Sequence, residues 1–280
     1  MTEENSDNRV ETMIIDTNMG PRVNYYSRKA IETAQAVKTI QGKLGKFSLR
    51  KIHEAILNGS IITPDTFTRV QIITADEILG TDIEYKQGIY TEKTQSENSE
   101  KTDPTSNDIA LEMDLIYDEN LTMLISLGIP SNFTMILSVK DKSFESCQPA
   151  VDKMIAMHRI MGRNVVEVKV DGEGAITNTK MTDHLLKQSI NTTKLGKNNH
   201  GIPHLDRKIR TIKDHVRIIR LLTQFACGGI ILLSLYFQIC NIVNILPTNA
   251  NAFHHSPFQI LMGEEQKFKT YVHTDHSKQC

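Results

Sequence analysis

Residues 109–139 read IALEMDLIYDENLTMLISLGIPSNFTMILSV. Three apolar runs, 109–117, 121–127 and 133–139, are separated by the turn-forming Asp-Glu-Asn and Gly-Ile-Pro-Ser-Asn. That pattern predicts three consecutive strands with short connections. Downstream, residues 144–161 read as a helix ended by Gly162, and the β-branched run 165–170 as a fourth strand stopped at Asp171-Gly172. A second long helical pattern follows at 203–222. Strand, strand, strand, helix, strand, helix is an α/β order.

Working toward the N-terminus, the character changes. Residues 91–107 have no periodicity and almost no apolar side chain, so they bury too little to offset their ordering entropy and read as a linker. Before it, 27–90 reads as a small helical unit. One helix opens near Ser27 with Ala30, Thr33, Ala34, Val37 and Ile40 on one face. A second is capped by Ser48, carries Leu49, Ile52, Ile56 and Leu57, and stops at Asn58-Gly59. A third, short one is expected after Pro64-Asp65. Residues 1–26 are polar and read as disordered, 108–265 as the main unit, and 266–280 as a tail.

Composition bounds the partners. The 280 residues have room for about two ordinary domains. With 33 acids against 32 bases the net charge is -1, so any polyanion site has to be a local patch. Cys147, Cys227, Cys240 and Cys280 form no Cys-x-x-Cys pair, which argues against a zinc knuckle or a disulfide scaffold and for reduced intracellular thiols. The acidic, polar start MTEENSDNRVE has neither the positive end nor the apolar centre of a secretion signal, so an intracellular protein that is not secreted is expected.

Three acids stand where chemistry is possible. In the first strand Ile109, Leu111, Met113, Leu115 and Tyr117 alternate to one face while Glu112 and Asp114 share the other. Taken alone, Asp114 reads as a solvent-facing position on a half-exposed sheet. Asp171 closes the fourth strand, where ligands dock in α/β sheets, although Asp-Gly is also a plain turn. In IPHLDRKIRTIKDHVRIIRLL (202–222), Leu205, Ile209, Ile212, Val216 and Ile219 make one buried stripe. Beside them Asp206, Arg210, Lys213, Arg217 and Arg220 form a row about 21 Å long, an acid followed by four cations. Such a row follows a phosphate backbone or, more blandly, is a solvated basic face. Three carboxylates from two strands and a helix suit a pair of divalent cations, which take hard oxygen ligands and stabilise attacking and leaving oxygens about 3.5–4 Å apart.

The series LEMDLIYDENLTMLIS (111–126), a helix, VVEVKVDGEGAI (165–176) and GIPHLDRKIRTIKDHVR (201–217) resembles the integrase catalytic core of retrotransposon and retroviral Pol polyproteins. IQGKLGKFSLRKIHEAILNGSI (40–61) with ADEILGTDIEYKQG (75–88) is similar to the segment preceding integrase in copia-like elements, and SPFQILMGEEQKF (256–268) resembles the end of such cores. The resemblance implies an RNase H-like mixed sheet with flanking helices, preceded by a small helical unit. It further implies DNA integration by phosphodiester transfer, with Mg²⁺ or Mn²⁺ on an acidic triad of Asp114, Asp171 and Asp206. Arg210, Lys213, Arg217 and Arg220 would then contact nucleic acid. Its implied partners are DNA, both element ends and target, and further copies of the chain; its implied compartment is the nucleus. At the third position the family has glutamate. Aspartate is shorter by about 1.5 Å of reach, and a misplacement of about 1 Å costs on the order of a hundredfold, so weakened catalysis is expected. Glu173 is a conceivable rescue.

Two other readings compete. One is a non-enzymatic DNA- or RNA-binding relic of a retrotransposon that keeps the basic helix. The other is a single-pass membrane protein, since 221–263 holds no charged Lys, Arg, Asp or Glu and 225–246 is long enough to span. Gln238, Asn241 and Asn244 at every third position and Gly228-Gly229 favour instead a buried helix with a polar edge. His254-His255 reads as a loop pair without a third ligand.

Overall fold

The computed structural model describes residues 26–61, 63, 67–81, 106–171, 176, 178–195, 203–223, 228–248 and 255–262. The expected disordered start, almost all of the expected linker, the tail, Glu173, His254 and Pro64-Asp65 lie outside the described residues.

The N-terminal unit contains α1 (Arg28–Lys43), α2 (Leu49–Leu57) and α3 (Arg69–Leu79). Each begins where a hydroxyl satisfies an otherwise orphaned N–H: Ser27, Ser48 and Thr68 accept from the backbone three residues on. At Thr68 the Gln71 side chain also returns to the cap N–H, a reciprocal pair that sets the start of α3 at Arg69, later than the Pro64-Asp65 expectation.

The main unit runs β1 (Asp108–Asp118), β2 (Leu121–Ile129), β3 (Phe133–Val139), α4 (Phe144–Ile160), β4 (Asn164–Asp171), α5 (Thr179–Lys187), β5 (Asn191–Leu195), α6 (Pro203–Leu222), α7 (Gly229–Ile245) and α8 (Pro257–Met262). Gly162, at φ 75°, ends α4 by letting its own N–H and that of Arg163 reach the carbonyls of Arg159 and His158. The strands form one sheet ordered β3-β2-β1-β4-β5. The β1–β2 and β2–β3 pairs are antiparallel, and β1–β4 and β4–β5 are parallel. This is a mixed α/β sheet with flanking helices, as the sequence leads one to expect.

Both faces of the sheet are covered. Ile109, Leu111 and Met113 of β1 point toward α4 and α5, joining Cys147, Val151, Met154, Met181 and Leu185. Ile116, with Met123, Ile125 and Leu127 of β2, lies on the opposite face under α6 and α7. The same cluster continues through Leu205, Ile212, Val216, Tyr236 and Ile239 into Ala34, Val37, Phe47, Leu49 and Ile52 of the N-terminal helices. The half-exposed sheet expected around Asp114 is therefore corrected: α6 lies across the second face.

The apolar run is α7, and among the described residues no helix is long and apolar enough to cross a membrane. Gln238 and Asn241 are exposed, as a polar edge requires, but Asn244 is buried. Its Oδ1 accepts from the Thr134 N–H at 2.8 Å and its Nδ2 donates to the Thr134 carbonyl at 2.7 Å. One amide thus satisfies both outward backbone groups of a residue on the sheet's edge strand.

Candidate active site

The two strand acids are brought together by register. Val170 pairs with Met113 in the parallel β1–β4 ladder, so the next residues, Asp171 and Asp114, are neighbours on adjoining strands about 4.8 Å apart. They share the face under α6, because Met113 and Val170 point the other way. One step back in the same register, Glu112 stands opposite Lys169. Asp206 enters from above on the first turn of α6. The helix is held there by the Leu205 side chain, fully buried beneath it, and the Leu205 N–H acts on the Glu112 carboxylate, partly offsetting its raised pKa.

The electrostatics follow from this crowding of acids. Burial raises the Asp114 pKa, and Asp206 and Asp171 raise it further; its Oδ1 accepts from the Leu115 N–H at 2.7 Å and Lys213 partly compensates. The Asp206 pKa is raised by burial and by Asp171, and opposed by Arg210. Glu112 goes furthest, to about 7, chiefly through burial with a contribution from Asp206. Its Oε2 is buried and bonded to nothing. Glu112 shares the Asp114 face in the sequence, but its place against α6 was not readable there, because that contact is tertiary.

These observations test the fit to divalent cations. The donors are hard carboxylate oxygens, they repel one another, and one buried oxygen beside them lacks a partner, all of which suit Mg²⁺ or Mn²⁺ in kind. In position the set is looser: among the described residues no three His, Cys, Asp or Glu side chains are gathered closely enough to hold an ion as they stand. His255 lies in a loop whose carbonyl accepts from the Thr248 N–H, apart from any such group.

The cation row splits into two halves. Arg210 and Lys213 face the acids, acting on Asp206 and Asp114 respectively. Arg217 pairs with Asp214 at 3.0 Å. Arg220 pairs with Glu119 and, at 3.7 Å, with Asp118 at the β1–β2 turn, where Asp118 also accepts from the Tyr236 hydroxyl at 2.7 Å. Arg220 thus ties α6 to the hairpin.

No protein-family model matches the sequence, and no curated protein matches it. Among solved structures the chain is similar to the catalytic core domain of BIV integrase, at 12% identity over 55% of this chain and 93% of that one, with a TM-score of 0.42.

Proposed function

We propose that this chain is an integrase-core-like protein, from the Pol region of a copia-like retroelement, that binds DNA and carries out phosphodiester transfer with reduced efficiency. The observation that carries this reading is the meeting of Asp114, Asp171 and Asp206 on one face, from two adjacent parallel strands and the start of a helix, close enough to perturb one another. Those three aspartates would hold Mg²⁺ or Mn²⁺, with Glu112 supporting the helix that carries Asp206. Bound there, divalent cations supply charge stabilisation at the attacking and leaving oxygens of an in-line displacement. Arg210 and Lys213, beside the acids, orient the phosphates of the strand, and Arg217 and Arg220 exchange their carboxylate partners for phosphates further along. Such a protein acts in the nucleus.

The shorter side chain at 206 sets the expected weakness. A nuclease and strand-transfer assay with Mg²⁺ and with Mn²⁺ is expected to give low wild-type activity, none for Asp114→Asn, and at least a tenfold gain for Asp206→Glu. Absence of activity in both wild type and Asp206→Glu overturns the enzymatic reading. The looseness of the acid set favours the second reading, a DNA- or RNA-binding relic without catalysis. That reading expects binding that falls steeply with salt, and a smaller salt slope for Arg210→Ala, with no cleavage under any metal.

A further inference from the structure

The flank of α6 that turns away from the acids meets the N-terminal helices around a cavity of about 290 Å³. Lys51 of α2 and Arg207 and Lys208 of α6 line it, with Asn132 from the β2–β3 turn and an apolar wall that includes Phe47 and Leu246. The Lys51 ammonium lies 5.9 Å from the centre of the Phe47 ring. Among the described residues no carboxylate stands within ion-pair distance of Lys51, Arg207 or Lys208. The remainder of α6 behaves differently, since its later arginines are matched by acids.

Three like charges round one partly enclosed space repel each other, and Glu54 offsets Lys51 only in part. A neighbouring group registers that field: burial lowers the His215 pKa to about 4, with Lys51 adding to the effect. Lys51 and Arg207 are exposed and Lys208 is half-buried, so the three cations reach the cavity from its open side, and an anion seated between them lowers their mutual repulsion. A single carboxylate ligand would neutralise one of the three cations. A phosphate group carries about two charges and matches the planar fork of Arg207 with two oxygens at once. The apolar wall offers contact to a body attached to that group.

We propose that this cavity is a binding site for a phosphomonoester or diphosphate carried on a compact aromatic or aliphatic body, held by Lys51, Arg207 and Lys208. The site is separate from the acidic face and does not depend on the reading given for that face.

The test uses the full chain in the presence of a chelator, so that no divalent cation contributes. Calorimetric titration at fixed ionic strength compares inorganic pyrophosphate, phenyl phosphate and chloride. Binding of pyrophosphate and of phenyl phosphate, each weakened at least tenfold by Lys208→Met and by Lys51→Gln and unchanged by Asp114→Asn, is the expected result. Both Lys variants keep the wild-type melting temperature of the unliganded protein; a variant that merely damages the fold lowers it. A titration indistinguishable from chloride overturns the proposal, and so does full affinity retained by both Lys variants. A further arm identifies the source of the phosphate. Preference for a 5′-phosphorylated dinucleotide over phenyl phosphate and over its 5′-hydroxyl counterpart assigns the site to nucleic-acid ends, and the reverse preference assigns it to a free phosphorylated metabolite.

Discussion

Glu112 shows how one side chain links the sheet to the helix above it. Only 6% exposed, it lies within the influence of the Leu205 N–H and the field of Asp206. Its folded pKa of about 7 lies above the ordinary value of 4.5. A carboxyl group raised in this way favours the folded state fully below pH 4.5, and that contribution disappears as pH climbs through about 7. The shift corresponds to roughly 3 kcal/mol. Glu112→Gln keeps the shape of the side chain and removes the ionisation. We expect the variant to equal wild type near pH 4.5 and to exceed it by about 2–3 kcal/mol at pH 8, in urea unfolding without divalent cations. A difference that does not grow with pH contradicts this account. Of the acids, Asp114 stood out in the sequence as a carboxylate inside an apolar strand, Asp171 as the end of a strand, and Asp206 as the head of a row of cations on a helix. Glu112 and the Lys51, Arg207 and Lys208 group did not, because their environments are made by chain segments far apart in sequence.

Among the elements, those with strong periodicity were legible. The alternation in 109–117 and the four-and-three stepping of 203–222 each describe a buried face, and burial dictates where such segments lie. Among the elements not foreseen are α5 and β5. The first, TKMTDHLLK, buries only Met181 and Leu185, and the second, NTTKL, joins the sheet as an edge strand through its backbone, leaving little side-chain pattern to read. The docking of α7 was half legible: a buried helix was expected, with its asparagines outward. Asn244 instead makes a pair of hydrogen bonds to Thr134. Asn244→Leu leaves the buried Thr134 N–H without a partner, at about 1–3 kcal/mol, and its carbonyl with the weak Cys240 thiol donor alone. A fall of the melting temperature is expected from this variant, with earlier hydrogen exchange in β3 than in β1. Exchange that stays uniform across the sheet argues against the clamp.

On the scale of the molecule, one hydrophobic cluster spans the N-terminal helices, α6, α7 and a face of the sheet. A chain beginning at residue 106 would expose the Phe47, Leu49 and Ile52 contacts. We expect it to bind hydrophobic dyes and aggregate, whereas the full chain does neither; a monomeric, cooperatively unfolding fragment refutes that coupling. His215 belongs to the same junction: it stacks on Phe47 with ring centres 3.5 Å apart, and its Nδ1 lies 2.8 Å from the Gly45 carbonyl. His158 is buried under the sheet's other face with neither ring nitrogen hydrogen-bonded. Both are depressed to about 4, first by burial. A histidine lowered from 6.5 supports the fold above that pH and withdraws its support as pH falls toward 4. Each contributes on the order of 3 kcal/mol. The urea midpoint is therefore expected to drop between pH 7 and pH 4.5, against the trend of Glu112, and His158→Leu should flatten part of that drop.

The amide of Asn244 occupies the place that a residue of an added strand would take beside Thr134. Sheet continuation from one copy of this chain into another is blocked on that margin, so copies that assemble through this side of the molecule must do so helix against helix.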